Sequence, residues 1–473
     1  MELLFEARLE IRGIEGKLYF VQPKPIVHPE PVLEPDPDSL VDGGGVTVEG
    51  TVLKDGGILR MWYNAWPKDW DGQNVNLVGY AESTDGLNWR RPVLNLLEYG
   101  NRPNNLCNLG FCMPGVFIDP TAAASHRYRA TGCVEPGTVS CGVRVERRGY
   151  YTAHSADGLF WELDSATAPW HSSDVITSIY HPGQARAIAM MKHNPRVLNV
   201  PRRSIWEASM RAGVWSTPVS ALVPDEFDDI CAMSRGFASG DYYGMGMLAA
   251  GTGTVGFLWQ FRHTLPRTPG RGYGVFGAVD ITLAYQAREG DRWQHAPGRP
   301  DFISHGSAAW NAGAVYTATG PVEIGDEQWL YFGGWRRSHG WYVDEEWQVS
   351  AALRDQMVRE GAIRIGVARW PKHRLFGFYA DPEGILTLDL GTPAGPCELL
   401  LNYQAERGGS VRVALENMAD YSLEQAVPLT GDALQGVVAW QGKGAITPLP
   451  GQRLIARIYL QQATLYAYEV RSI

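Results

Sequence analysis

Short apolar and aromatic runs alternate with polar loops through most of this chain, and one arrangement of them recurs. Its first copy has an apolar strand from Leu59 to Trp66, a second from Leu77 to Ala81, and a turn from Ser83 to Trp89 that reads STDGLNW. Asp and Gly suit the positive-φ positions of a tight connection, and the Trp is large enough to cover the edge of a small sheet. The turn returns as SADGLFW, from Ser155 to Trp161, after the strand from Tyr150 to His154. The pattern predicts a repeated β unit.

The second strand of each repeat is the easiest to align, and there are five. They run from Leu59 to Trp66, Tyr128 to Glu135, Ala185 to His193, Val255 to His263 and Gln328 to Arg336. Degenerate copies of the Trp turn end at Trp215 and Trp293. Repeats of this size, each of about four strands, are typical of a β-propeller, whose radial repetition leaves only short sheet edges. We therefore predict an all-β protein with a five-bladed propeller.

The regions on either side of the repeats follow different patterns. Residues 1–44 start with short alternating strands and become rich in proline, which predicts an extended segment that covers or closes the ring. Residues 45–375 hold the propeller. Residues 376–473 show alternating strands between Gly and Pro turns, which predicts a β-sandwich domain. A helix is predicted over residues 345–360, as an excursion from blade five.

Composition narrows the range of partners. The chain has 473 residues, of which 45% are apolar and 20% charged, and its formal net charge is −9. These values are typical of a globular protein of more than one domain or of a closed repeat array. An acidic chain lacks the basic surface that nucleic acids and anionic membranes require, so neither is an expected partner. A small neutral carbohydrate or glycoside fits better.

The N-terminus and the cysteines indicate the compartment. Met1 to Arg8 carries acidic residues where a signal peptide has basic ones, and no long apolar run follows. The six cysteines are scattered without C-x-x-C spacing, so reduced core thiols are expected, with disulfide or metal roles as the alternative. A cytoplasmic location is the resulting expectation.

Several blade motifs resemble the five-bladed propeller glycoside hydrolases, a superfamily that includes invertases, levanases, arabinanases and mannoside phosphorylases. They are the strand ending in Trp62-Tyr63, the segment from Tyr80 to Trp89, and the pair formed by Gly320 to Asp326 and Tyr331 to Gly334. A propeller followed by a β-sandwich is most similar to the invertase-like branch. The resemblance implies cleavage of a glycosidic bond in the central funnel.

The catalytic motifs of that branch are absent from this chain. An Asn-Asp-Pro-Asn segment in blade one, Arg-Asp-Pro in blade two and Glu-Cys in blade three are all missing. Asp119-Pro120 falls at a hairpin, in register with Asp55 and His181, so we interpret it as a structural turn. The catalytic residues therefore cannot be transferred by motif.

Two cofactor-like signals lead to no cofactor prediction. Gly251 to Gly256 matches G-x-G-x-x-G, but the strand from Phe257 to Phe261 follows it where a dinucleotide site needs a helix N-terminus. The histidines are too dispersed to indicate a metal site. No cofactor and no metal are expected.

Propeller geometry locates the candidate site. The innermost strand of each blade starts at one end of the central funnel, which we call the mouth, and the second strand ends there. The third strand starts at the mouth again. Counting along the innermost and third strands brings three carboxylates to the mouth, which we predict as catalytic: Glu49, Asp174 and Asp280. The same count predicts a larger substrate-binding set: Asn64, Trp66, Glu135, Tyr243, Arg262, His263, Asn311, Trp335 and His339.

Acids, histidines and aromatic rings at one site suit sugar chemistry. One carboxylic acid can protonate a leaving oxygen while a second carboxylate acts as nucleophile or activates water, and aromatic faces stack on sugar rings. The leading hypothesis is a glycoside hydrolase with Glu49 and Asp174 as its catalytic pair and Asp280 in support. The alternatives are a non-catalytic carbohydrate-binding propeller and a propeller recruited to another small-molecule reaction, such as a lyase or cyclase step.

Overall fold

The structure is a computed structural model that describes residues 1–5, 8–70, 76–171, 173–197, 199–266, 274–341, 352, 356, 360 and 363–473. Antiparallel β-sheets account for most of these residues. The predicted all-β class is confirmed. The helix predicted over residues 345–360 lies outside the described residues, apart from Ala352, Gln356 and Glu360.

Three short strands precede the first blade: β1 (Glu2–Leu3), β2 (Ile11–Val21) and β3 (Ile26–Val27). Blade one contains β4 (Gly45–Asp55), β5 (Ile58–Trp66), β6 (Val78–Ser83) and β7 (Leu106–Cys107). Blade two contains β8 (Cys112–Ile118), β9 (Tyr128–Val134), β12 (Gly149–Ser155) and β13 (Glu162–Leu163), with the hairpin β10 (Val139–Ser140) and β11 (Val143–Arg144) beside it.

Blade three contains β14 (Ile176–His181), β15 (Arg186–His193), β18 (Ser204–Arg211), β19 (Val214–Trp215) and β20 (Val219–Leu222), with the hairpin β16 (Arg196–Val197) and β17 (Val200–Pro201). Helix α1 (Glu226–Met233) follows, capped by the Asp225 side chain. Blade four contains β21 (Ser239–Ala250), β22 (Gly253–His263), β23 (Gly277–Gln286), β24 (Gln294–His295) and β25 (Asp301–Ile303). Blade five contains β26 (Ala314–Thr317), β27 (Val322–Ile324), β28 (Glu327–Trp335) and β29 (Ile363–Pro371).

The blades close into a ring within the described residues. The innermost strand β4 packs against β8, β8 against β14, and β14 against β21, while β26 of blade five returns to β4. Blades four and five also meet through one parallel bridge between Val279 and Ala314. The five second strands predicted from the sequence are β5, β9, β15, β22 and β28. The predicted five-bladed propeller is confirmed.

The N-terminal segment reaches two sheets. Strand β3 pairs with β29, where Val27 lies opposite Ala368, and so forms the outer edge of blade five. Strands β1 and β2 instead pair with β33 and β30 of the C-terminal region. The proline run between Pro23 and Pro37 separates β2 from the repeats, and this lets the preceding strand join a different sheet.

The C-terminal strands are β30 (Gly377–Gly391), β31 (Cys397–Leu415), β32 (Asp432–Val437) and β33 (Leu454–Ser472). With β1 and β2 they form one antiparallel sheet in which β33 lies between β30 and β31. Register shifts interrupt the long strands, for example between Ala405 and Ser410 of β31, and such bulges bend a strand. A buried core that includes Trp440 packs against this sheet. A two-layered sandwich remains a prediction for this region.

None of the helices among the described residues is both long enough and apolar enough to cross a lipid bilayer.

Candidate active site at the mouth of the propeller

Irregularities in the innermost strands shape the mouth. In β4 the register shifts between Thr47 and Thr51, so that Val48, Glu49 and Gly50 lie opposite a single residue of β5. Strand β21 has a shift between Tyr242 and Gly244, which leaves Tyr243 as the extra residue. Bulges re-aim side chains and are common beside active sites. Glu49 and Tyr243 are both placed by such bulges.

Glu49 is buried, with a relative exposure of 4%. The pKa of its carboxyl group is raised to about 8, because burial and the negative charge of Asp174 outweigh the lowering by Lys192 and by a hydrogen bond from Thr47. The Thr47 hydroxyl donates to Glu49 Oε1 at 3.2 Å. Glu49 is therefore a neutral acid at neutral pH and still holds a proton that it can give away.

Asp174 precedes β14 and forms an ion pair with Lys192 of β15. Burial raises the pKa of Asp174, but the charges of Lys192 and Arg203 outweigh this effect and lower the pKa to about 2. The Ser173 hydroxyl donates to Asp174 Oδ1 at 3.0 Å. Burial lowers the pKa of Lys192 to about 8 against the opposing charge of Asp174. Asp174 is therefore ionised at neutral pH.

Tyr243 and His339 bring blades four and five to the same place. His339 Nδ1 faces the carbonyl oxygen of Val275, which can only accept, so this nitrogen carries the proton. His339 Nε2 then accepts from the Tyr243 hydroxyl at 2.9 Å, and the same hydroxyl lies 3.4 Å from Asp174 Oδ2. Burial, with the charge of Arg203, lowers the pKa of His339 to about 3. The imidazole is therefore neutral.

Cations cover the ring of Tyr243. The Lys192 ammonium lies 3.9 Å from the ring centroid and the Arg203 guanidinium lies 5.1 Å from it. At the blade-two side of the mouth, Arg148 pairs with Glu135 at 3.1 Å. The charge of Asp174 also raises the pKa of Arg148, so this pair lies within electrostatic range of the same centre.

The predicted sugar-stacking tryptophans form a packed aromatic wall. Trp66 and Trp335 are both buried, with 5.5 Å between their ring centroids. Trp70 lies against Trp66 at 4.2 Å, and Tyr316 lies against Trp335 at 5.2 Å. The Trp335 ring is parallel to that of His339, with 6.1 Å between centroids. Trp66 and Trp335 meet edge to face, so both rings are engaged in packing against other aromatic residues.

Asp280 and Arg262, two of the predicted residues, lie in a separate ion-pair network of blade four. Arg262 Nε donates to Asp280 Oδ2 at 2.6 Å, and Arg262 Nη2 donates to Asp301 at 2.7 Å. His305 lies 2.6 Å from Asp280 Oδ1. On strand β23, Asp280 and the neighbouring core residue Val279 face opposite sides of the sheet, because side chains alternate along a strand. The expected convergence of Asp280 with Glu49 and Asp174 does not occur.

Two other predicted residues, His263 and Asn311, have local partners. His263 Nε2 lies 2.9 Å from Asp241 Oδ2, and Asp241 also accepts from Arg202 at 2.6 Å. Asn311 has no measurable exposure, and its side chain accepts from Ala308 N and donates to Ser307. These contacts fix the loops of blades four and five.

Asn64 links two blades at the mouth. Its Oδ1 accepts from Met113 N of blade two at 2.9 Å, at the register shift of β8. Met113 has a φ of 55°, a conformation that few non-glycine residues adopt. Asn64 therefore holds the strained start of the neighbouring innermost strand.

Sequence reasoning missed three residues of the centre: Lys192, Arg203 and Tyr150. A signal existed for Lys192, because this charged residue directly follows the apolar run from Ala187 to Met191 on the same predicted strand. The Tyr150 hydroxyl lies 2.9 Å from the carbonyl oxygens of both Val175 and Lys192. No sequence pattern marks Tyr150, because its contacts cross from one blade to the next.

The opposite end of the axis is apolar. A cavity of about 480 Å³ lies there, lined by the hairpin ends of the innermost strands, including Leu53, Phe117, Ile179 and Met247. Glu323 is the one carboxylate in its described lining, and no His, Lys or Arg stands beside it there. Acid–base chemistry on the axis therefore belongs to the mouth. Among the described residues no group of three or more His, Cys, Asp or Glu side chains could hold a metal ion.

Comparison with known proteins gives structural matches only. No protein-family model matches the chain, and no curated protein matches it. A glycosyl hydrolase from Bacteroides ovatus matches 76% of this chain and 98% of its own, with 14% identity and a TM-score of 0.45.

Two further solved structures cover similar parts of the chain. One carries the description "The GH130 family of mannoside phosphorylases contains glycoside hydrolases that target beta-1,2 mannosidic linkages in Candida mannan". The match to this structure covers 79% of this chain and 97% of the other, with 14% identity and a TM-score of 0.45. An N-acetylgalactosamine deacetylase from F. plautii, in complex with blood group B trisaccharide, covers 74% and 96%, with 13% identity and a TM-score of 0.47. The resemblance to glycoside hydrolases seen in the sequence recurs in these matches, which identify no activity or substrate for this chain.

Proposed function

We propose that the protein cleaves a glycosidic bond, with Glu49 as the general acid and Asp174 as the nucleophile or the base that activates water. One observation carries this proposal: two carboxyl groups at the mouth have pKa values shifted in opposite directions, to about 8 for Glu49 and about 2 for Asp174. When their environments shift the pKa values of two acids in opposite directions, the acid with the raised pKa serves as the general acid and the other as the base or nucleophile.

Each carboxyl group is prepared for its part of the reaction. Glu49 is neutral at neutral pH, so its proton can pass to the oxygen of the leaving group as the glycosidic bond breaks. Asp174 is ionised, and it either attacks the anomeric carbon or takes a proton from the water that attacks it. Thr47 and Ser173 hold the two carboxyl groups through hydrogen bonds.

The surrounding groups orient the base. Lys192 holds Asp174 Oδ1, which leaves Oδ2 beside the Tyr243 hydroxyl. His339 is neutral and fixes the orientation of Tyr243 through the 2.9 Å hydrogen bond. Under this proposal Oδ2 is the oxygen that reacts, because Lys192 engages Oδ1.

A second candidate is a non-catalytic carbohydrate-binding propeller. It is favoured by the ion pair between Asp174 and Lys192, because a carboxylate held by an ammonium group is a weaker nucleophile and base. Under this hypothesis sugars bind at the mouth without turnover.

Release of reducing sugar from a panel of aryl glycosides and oligosaccharides tests the proposal. Glu49→Gln and Asp174→Asn keep the side-chain shape but remove the acid or the base, so each should lower kcat by about 10²–10⁴-fold while sugar binding remains. A matched control is Asp280→Asn, which changes an acid outside the centre. Turnover that survives in both site variants would overturn the assignment, and binding without any turnover by the native protein would favour the binding propeller.

A further inference from the structure

Arg203 occupies a fixed position in the mouth. It directly precedes β18, and its guanidinium group lies over the rings of Phe261, at 4.3 Å, and Tyr243, at 5.1 Å. Nη2 donates to the carbonyl oxygen of Gly274. A guanidinium stacked on two aromatic faces keeps its planar set of donors in a defined orientation.

Among the described residues, Arg203 differs from the neighbouring arginines in having no carboxylate within ion-pair distance. Arg202 pairs with Asp241 at 2.6 Å, and Arg148 pairs with Glu135 at 3.1 Å. In the part of the chain that the structure describes, Arg203 forms no ion pair, and its Nη1 is buried without a hydrogen-bond partner. A buried donor left without a partner is costly, so such a group is expected to meet an acceptor in the working protein.

The charges of the described site residues leave Arg203 in excess. The Asp174 carboxylate is balanced by Lys192, and the Glu135 carboxylate by Arg148. Glu49 is buried and protonated at neutral pH, so it supplies no negative charge. Within this set Arg203 is the cation without an ion-paired carboxylate, and its charge lies close enough to influence both Asp174 and His339.

We propose that the substrate is a glycoside of a hexuronic acid and that Arg203 binds its carboxylate. The proposal rests on the glycoside-cleaving function above and specifies its substrate class. A guanidinium group binds a carboxylate through parallel hydrogen bonds. One carboxylate also matches the single surplus charge, whereas a phosphate dianion would exceed it.

This proposal departs from the neutral substrate expected from the net charge of −9. Net charge sums over the whole surface, while binding responds to the few charges that line the site. Interactions over more than about 10 Å are largely screened at ordinary ionic strength. The local excess at Arg203 therefore decides the preference.

Paired substrates provide the kinetic test. The 4-nitrophenyl glycosides of a hexose and of the corresponding hexuronic acid differ only in the carboxylate. Arg203→Met should lower the ratio of kcat/KM for the uronide to kcat/KM for the neutral hexoside by about 10–100-fold, because only the uronide loses a charge-assisted contact. The ratio cancels any effect of the lost Arg203 charge on Asp174 that both substrates share. Arg203→Lys keeps the charge without the planar donors and should retain an intermediate uronide activity. Arg211→Met is the control, because Arg211 ends strand β18, which Arg203 precedes, and pairs with Glu289 at that far end.

Calorimetry with the Glu49→Gln variant separates this proposal from the proposed function. The free hexuronic acid, the parent hexose and inorganic phosphate are titrated in turn, with and without Arg203→Met. Binding of the uronate that depends on Arg203 supports the proposal, even where no glycoside is cleaved and the proposed function fails. Equal cleavage of uronide and hexoside, unchanged by Arg203→Met, overturns the proposal and leaves glycoside cleavage intact. Phosphate binding that depends on Arg203, without uronate binding, also overturns it.

Discussion

The indole nitrogen of Trp62 in blade one donates to the carbonyl oxygen of Gly158 in blade two at 2.7 Å. The same link occurs at the closure of the ring, where the Tyr331 hydroxyl of blade five donates to Gly86 of blade one at 2.9 Å. In both cases an aromatic residue of a second strand contacts the Asp-Gly turn of the next blade. The recurring turn is therefore a joint between blades as well as a cap on its own sheet.

The two complete Trp turns should differ in their contribution to stability. Trp161 is fully buried between blades one and two, whereas Trp89 is only partly buried against Tyr331. Trp161→Ala should lower the free energy of unfolding by about 3–5 kcal/mol, and Trp89→Ala by less, because less apolar surface is lost. Urea unfolding of both variants measures the difference. The repeat pattern predicts that both residues are largely buried between blades, and the partial exposure of Trp89 corrects that expectation. Equal losses would contradict the structure.

Glu49→Gln should stabilise the fold more at high pH than at low pH. The pKa of Glu49 is about 8 in the folded protein and 4.5 for an ordinary glutamate. Between these values the unfolded chain releases the proton while the folded protein retains it, so the glutamate destabilises the fold increasingly as pH rises. Glutamine carries no such penalty. Melting temperatures at pH 5 and pH 8 test this, and a gain that is equal at both would contradict the raised pKa.

Activity should fall as pH rises through about 8, because Glu49 then loses the proton that the leaving group needs. The base requires an ionised Asp174, whose pKa is about 2, so activity should persist well into the acidic range. The pH profile of kcat/KM on a cleaved glycoside measures both limits.

Lys192 also titrates near pH 8, so a variant is needed to assign the fall in activity. Lys192→Met removes a positive charge that lowers the pKa of Glu49. If Glu49 controls the fall, the midpoint should move to higher pH in this variant. Disappearance of the fall would instead assign it to Lys192.

Tyr150 should act as a positioning residue. Its hydroxyl lies between the carbonyl oxygens of Val175 and Lys192 and accepts from Ser173 N, and so fixes the backbone on both sides of the Asp174 ion pair. Tyr150→Phe should lower kcat by about 10-fold with little change in KM, since small displacements of a reacting group slow a reaction markedly. Tyr151→Phe is the control, because that hydroxyl donates to Arg147 O, which lies outside the Asp174 ion pair. Equal effects in both variants would argue against positioning.

Asp280→Asn should affect stability and leave catalysis intact. Asp280 is buried and accepts from Arg262, and its loss as an anion leaves a buried guanidinium with less compensation. Breaking such a pair costs up to about 3–5 kcal/mol. Urea unfolding should show the loss, while kcat of the folded variant stays near the native value. A selective loss of kcat would return Asp280 to the catalytic set.

The sequence reveals the blades because the Asp-Gly-x-x-Trp turn and the aromatic second strands repeat along the chain. It also places Glu49, Asp174, Tyr243 and His339 at the mouth, since distance along a strand from its hairpin sets the height within the funnel. The height of a residue within the funnel does not determine the direction in which its side chain points. Asp280 is near the right level, but it faces the interior of blade four, where Arg262 binds it.

Bulges and contacts between blades account for most of what the sequence does not reveal. No residue pattern marks the register shift between Thr47 and Thr51 that turns the Glu49 side chain towards the centre. Arg203 directly follows Arg202, and the two side chains serve different purposes because neighbouring residues of an extended chain face opposite sides. Arg202 is the arginine with a carboxylate partner, because Asp241 binds it, and Asp241 lies 39 residues further along the chain.

The pairing of the N-terminal strands has a consequence for the biosynthesis of the chain. Residues 11–21 and 26–27 leave the ribosome early, yet their partners are β30 and β29, which are made more than 300 residues later. At 5–20 residues per second, roughly, translation separates these partners by about 15–60 seconds. During that interval the hairpins of the first four blades have local partners, and the two N-terminal strands do not. The ring therefore closes only after blade five has emerged. Until then, the proline-rich and polar residues around the early strands limit their pairing with other strands.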